Sequence, residues 1–208
     1  MINALPKRAG LVLTLLATFA QAGPLPSYDI SLLEVGTVIE WQTDRGLQSM
    51  TYLGPDDGLL KIHLSFPTTR GHTLEIDGWQ TQSGQTKRAV AGNQTMVMSP
   101  HDCSNSVGHC EYFIIYGILD NVKIEYFGTY FDDGILMETR SASDPEFTGF
   151  AKKLCSIYDQ FGISIVTYAI GSDGNSTWER RINSDYEPDI ESMMLRVEAR
   201  CTEDIAMS

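Results

Sequence analysis

Two histidines and two cysteines lie within ten residues of one another: His101, Cys103, His109 and Cys110. Imidazole and thiolate are good ligands for zinc or copper, so the cluster raises a metal site. Its spacing argues the other way. Structural zinc sites separate a Cys pair from a His pair by a dozen or so residues, and four ligands this close are hard to arrange tetrahedrally. A disulfide between Cys103 and Cys110, with His101 and His109 beside it, is the expectation. A metal held by those two histidines is the minor alternative.

Carboxylates form the next set. Asp56 with Asp57, and Asp132 with Asp133, are acid pairs of the kind glycoside hydrolysis needs at a fixed separation. Each pair precedes a glycine, where aspartate serves turn geometry, so no catalytic residue is assigned. Asp173, Asn175, Thr177 and Glu179 place oxygens at alternate positions, as a calcium loop does. The central glycine and the distant bidentate Glu of such a loop are missing, and a hairpin turn explains the stretch. His63 falls on the polar side of an alternating stretch and is expected in solvent. Arg180 and Arg181 make the strongest basic spot, but neighbours in a strand point to opposite faces. There is no Gly-x-Ser-x-Gly, His-Glu-x-x-His, phosphate-binding glycine loop or Cys-x-x-Cys, and no cofactor is implied.

The start of the chain carries a targeting signal. Lys7 and Arg8 precede an uncharged apolar run over residues 10–20, and Ala20, Gln21 and Ala22 form a small-x-small cleavage site. This order is that of a secretory signal peptide over residues 1–22, with Gly23 as the mature terminus. The run is shorter than the ~20 apolar residues of a membrane-spanning helix. No cysteine follows it to take a lipid, so no membrane anchor is expected after cleavage and the protein is expected in the periplasm or outside the cell. There Cys103, Cys110, Cys155 and Cys201 are expected as two disulfides, 103–110 and 155–201, worth roughly 2.5 and 4 kcal/mol by loop entropy. Asn93 and Asn175 sit in glycosylation patterns that matter only in a eukaryote. The formal charge of −12 argues against nucleic acid and anionic lipid as partners.

The elements that would position these residues are mostly strands. Residues 37–43 alternate, with Ile39 and Trp41 on one face. Leu60, Ile62, Leu64 and Phe66 alternate with Lys61, His63 and Ser65, the cleanest period of two in the chain. Val122, Ile124 and Tyr126 repeat the pattern. Residues 112–116 look buried on both faces, and 80–93 read as a polar loop or weak edge hairpin. Tyr52, Gly54 and Gly58 echo Tyr126, Gly128 and Gly134, which Asp-Gly hairpin turns explain without duplication.

Two helices are expected in the C-terminal half. One covers 145–161, capped by Asp144, striped by Phe147, Phe150, Leu154, Ile157 and Phe161, and stopped by Gly162. The other covers about 188–200, with Ile190, Met193, Met194, Val197 and Cys201 on one face. Cys155 and Cys201 would then join two helices. The expected fold is α+β: one domain over 23–208, mainly antiparallel sheet, as a partial barrel or sandwich. A soluble, non-enzymatic binding or interaction module follows best, taking a small apolar ligand or a protein partner. A hydrolase using strand-end carboxylates or histidine, and a periplasmic metal-binding protein, are the alternatives.

Overall fold

The computed structural model describes residues 28–203 apart from 69–70, 100–106, 117–118, 144–150 and 183–188. The expected signal peptide, His101 and Cys103 lie outside these. The described residues form twelve strands and one α-helix after a 3-10 turn at Ile30–Leu32. The strands are β1 (Val38–Thr43), β2 (Gly46–Asp56), β3 (Leu59–Pro67), β4 (Thr73–Gln80), β5 (Thr86–Ala91) and β6 (Gln94–Ser99). They continue as β7 (Gly108–Tyr116), β8 (Leu119–Tyr130), β9 (Leu136–Ala142), β10 (Ala151–Tyr158), β11 (Ser164–Gly171) and β12 (Ser176–Arg181), before helix α1 (Ile190–Thr202).

Every strand pairs antiparallel with its sequence neighbours, and β1 pairs with both β2 and β12. Trp41 stands opposite Gln48 on one side and Arg181 on the other. The sheet therefore closes into an up-and-down barrel, without the exposed edges of a partial barrel or sandwich. Residues 80–93, expected as a loop or edge hairpin, include β5, which is paired on both sides.

The alternation read from the sequence separates inside from outside. Trp41, Met50, Tyr52, Leu60 and Ile62 are buried in one inward cluster, and Val122, Ile124 and Tyr126 in another. Between them on the outer face stand ion pairs. Lys61 and His63 meet Asp77, His63 meets Glu75, and Lys123 meets Glu111 and Glu125. A barrel embedded in lipid presents an apolar band outward; here charges occupy mid-strand outer positions. His63 is half-exposed, and its hydrogen bond to Asp77 raises its pKa.

The polarity reverses beneath α1. The helix lies on the outer face of β10 and β11 and touches β12. Its buried Ile190, Val197 and Cys201 pack with Met137, Cys155, Ile157 and Val166. The same strands turn Ser156, Thr167 and Glu179 inward, as their cross-strand pairing shows. Arg180 points outward to Glu191 on the helix, whereas Arg181 points inward to Asp159.

The helix expected over 145–161 is not formed in its described part: residues 151–158 are β10, and 145–150 lie outside the described residues. Cys155 and Ile157 lie under α1, and Leu154 and Ser156 face the interior, so both faces of the strand are covered. A doubly buried strand shows no period of two, and its apolar run fits a helical stripe equally well. The expected cap at Asp144 lies outside the described residues. Gly162, expected as a helix stop, instead has φ of 77° in the β10–β11 turn. A Cβ there would lie 2.7 Å from Tyr28 Cβ. The second expected helix is α1.

Candidate ligand cavity inside the barrel

The base of the barrel is built by the chain before β1 and the turn between β10 and β11. The amide of Ile30 donates to the Gln82 carbonyl at 3.1 Å, and the Ile30 side chain is buried against the interior. The Tyr28 ring packs on Tyr158 with centroids 5.7 Å apart. Asp159 organises the turn. Its Oδ1 accepts from the amides of Phe161 and Ile163 at 2.8 and 3.0 Å, and its Oδ2 accepts from Arg181 Nη1 at 2.7 Å. Arg181 also donates through Nη2 to the carbonyls of Ile163 and Ser164. Trp41 Nε1 donates to the Ser164 carbonyl at 2.9 Å. Short antiparallel strands bring these partners together because β12 closes the barrel onto β1.

Above the base the side walls turn polar. Glu138 on β9 is buried; it accepts from the Tyr126 hydroxyl at 3.0 Å and from Arg140 Nη2 at 2.6 Å. Burial, then the Glu138 charge, pushes the hydroxyl pKa of both Tyr126 and Tyr158 up, so both stay protonated. Ser156 and Thr167 share a hydrogen bond of 3.0 Å. Glu179 accepts from the Ser164 hydroxyl at 2.8 Å and from Thr167. Burial raises its pKa, against those hydrogen bonds and the Arg181 charge.

These side chains do not fill the lumen. An inner chamber of about 250 Å³ is bounded by Ile30, Trp41, Met50, Glu138 and Arg140. A larger chamber of about 640 Å³ lies toward the opposite mouth, between Phe66, Leu74, Ile76, Leu154, Ala169 and Glu179. Gln48 and Leu154 border both chambers, so the two adjoin. Asp44 and Arg45 stand at the rim as a pair of opposite charges. The larger volume falls within the ~300–1,000 Å³ of sites that enclose a drug-sized ligand. A groove of about 600 Å³ also runs on the outer surface beside the end of α1, between Phe127, Thr139, Lys153 and Cys201. The lumen is the stronger candidate, because its polar groups converge from several strands onto one space.

No family model, no curated protein and no solved structure matches this chain.

Most of the residues singled out in the sequence lie elsewhere; Glu179 and Arg181 are the exceptions. His109 is exposed on the outer face of β7, opposite Phe127. Among the described residues no three His, Cys, Asp or Glu side chains are grouped to hold a metal. Asp56 accepts from Trp79 Nε1 at 2.7 Å, and Asp133 accepts from the Ile135 amide and from Arg200. Asp173 holds the β11–β12 hairpin through the Asn175 amide at 3.0 Å. Cys110 is disulfide-bonded. Cys155 and Cys201 are both buried free thiols that hydrogen-bond to each other, so the 155–201 bond is not formed in this structure. That hydrogen bond, with burial, holds the Cys155 thiol protonated, and Cys201 Sγ–H donates to the Tyr168 carbonyl at 3.4 Å. Cys155 lies on β10, so the pair spans a strand and a helix, and not two helices as the sequence led us to expect.

Glu138 and Arg140 were missed, and Glu179 and Arg181 were weighed only as a calcium-loop oxygen and a basic spot. Their signal was present: charged side chains two apart in strand-like stretches share a face. Which face was the lumen depended on α1 covering the other.

The lumen carboxylate predicts a pH effect of definite sign. An unfolded Glu179 ionises near the ordinary 4.5, and the folded one only at higher pH. Between those values the unfolded chain binds fewer protons, so stability from this group falls as pH rises. Glu179→Gln removes that loss. The variant should melt a few degrees above the parent at pH 7 and with it at pH 4, as read by thermal unfolding.

Proposed function

We propose that this protein is an exported, non-enzymatic binding protein that holds a small, largely apolar ligand inside its barrel. The observation that carries the reading is the unfilled lumen: two adjoining chambers, closed at the base by Ile30 and Tyr28 and reached from the mouth. Barrels of about eight strands are just wide enough for side chains or one small ligand, and twelve strands enclose more. The hydrogen-bonded polar groups along one wall would orient a ligand while the apolar wall supplies most of the contact. Export is supported by the signal-peptide pattern of residues 1–22 and by the disulfide-bonded state of Cys110, since such bonds persist in oxidising compartments.

The test uses N-phenyl-1-naphthylamine, a neutral apolar dye whose fluorescence rises out of water. The parent should bind it with micromolar affinity. Ala169→Phe places a ring in the larger chamber, where Ala169 stands between Leu154 and Thr177, and should weaken the dye ~10-fold or more while unfolding normally. Absence of dye binding to the parent, or equal binding to the variant, would remove the lumen reading.

A further inference from the structure

We propose that the ligand carries one positive charge, a protonated amine, seated against Glu179 with its apolar body in the larger chamber. This rests on the binding reading above and names the ligand's chemistry.

The acids that line the lumen differ in their partners. Glu138 is answered by Arg140 at 2.6 Å, and Asp159 by Arg181 at 2.7 Å. The other donors of Arg181 reach the carbonyls of Ile163 and Ser164. Glu179 is the third acid. Among the described residues its partners are the hydroxyls of Ser164 and Thr167, and no ion pair reaches it. Asp44 and Arg45 stand at the rim. Glu179 is therefore a carboxylate of the larger chamber that, among the described residues, no ion pair reaches, set beside an apolar wall.

A carboxylate away from bulk water with only hydroxyl donors costs free energy, unless a counterion arrives. The raised pKa of Glu179 expresses that cost. The counterion has to fit the rest of the chamber. Phe66, Leu74, Ile76 and Leu154 offer carbon surface around Glu179, with Asp44 out at the rim, which suits an organic cation better than a metal ion. An ammonium donates to the carboxylate in a charge-assisted hydrogen bond, while its chain lies on the apolar wall. An anionic ligand would meet the Glu179 charge, while the nearby Arg181 is already paired with Asp159. The whole chain, at −12, also draws cations toward it.

The experiment displaces N-phenyl-1-naphthylamine from the full exported chain with decylamine, decanol or decanoate, each below its micelle concentration. Decylamine should displace at ~10-fold or more lower concentration than decanoate, the size expected of a hydrogen bond to a charged group. Glu179→Gln should lose the amine preference, with decylamine and decanoate displacing bound dye at similar concentrations. Decanoate matching decylamine in the parent would overturn this inference and leave the lumen reading standing. An amine preference that survives in Glu179→Gln would overturn it too, since the preference would then come from net charge. Failure of the parent to bind the dye would remove the lumen reading itself, and this one with it.

Discussion

Arg181→Leu is expected to destabilise the protein by about 3–5 kcal/mol, the cost of leaving a buried charge without its partner. Arg181 and Asp159 are both buried, and their ion pair is 2.7 Å long. Removing the guanidinium strands the Asp159 carboxylate and frees the carbonyls of Ile163 and Ser164. The damage falls on the base of the barrel and on the seam where β12 meets β1. The melting temperature should fall by roughly 10 °C for a chain of this size, by calorimetry. Asp159→Asn should also destabilise, and the double variant should lose much less than the sum, because each change removes the other's penalty. Additive losses would mean that the two side chains act independently.

The second large effect concerns Cys155 and Cys201, both buried in the cluster under α1. If the export reading holds, the native protein should carry them as a disulfide, tying α1 to β10. The bond closes a loop long enough to contribute roughly 4 kcal/mol by chain entropy. The guanidinium midpoint of protein from the exported fraction should drop on reduction, and Cys201→Ser should show the lower midpoint with or without reductant. Alkylation of both thiols in unreduced, denatured protein would instead show that the pair stays reduced. Export would then lose one of its supports.

How far the sequence could be read follows from which surfaces are wet. Residues 60–66 were plain because β3 has the lumen on one side and water on the other, so Ile62 alternates with Lys61 and His63. Helix α1 was plain for a similar reason: it buries one stripe, and Glu191, Arg196 and Glu198 face out. Strand β10 was not, because α1 covers its outer face and the lumen its inner one. With no wet side, Leu154, Cys155 and Ile157 carried no period that separates a strand from a helix.

The candidate site was hidden by the same covering. In β12, Trp178 and Arg180 face the helix side, and Glu179 and Arg181 face the lumen. Read from the strand alone, the aromatic side looks like the interior. Only the packing of α1 on the outside makes the polar side the inner one, and only closure of β12 onto β1 brings Arg181 to Trp41. The sequence by itself determined the strand-rich class, the terminal helix and the expectation of export, because alternation, capping and leader patterns act over a few residues. Closure of the barrel, the choice of inner face and the meeting of Glu179, Glu138 and their partners were decided by tertiary structure, since those contacts join strands far apart in the chain.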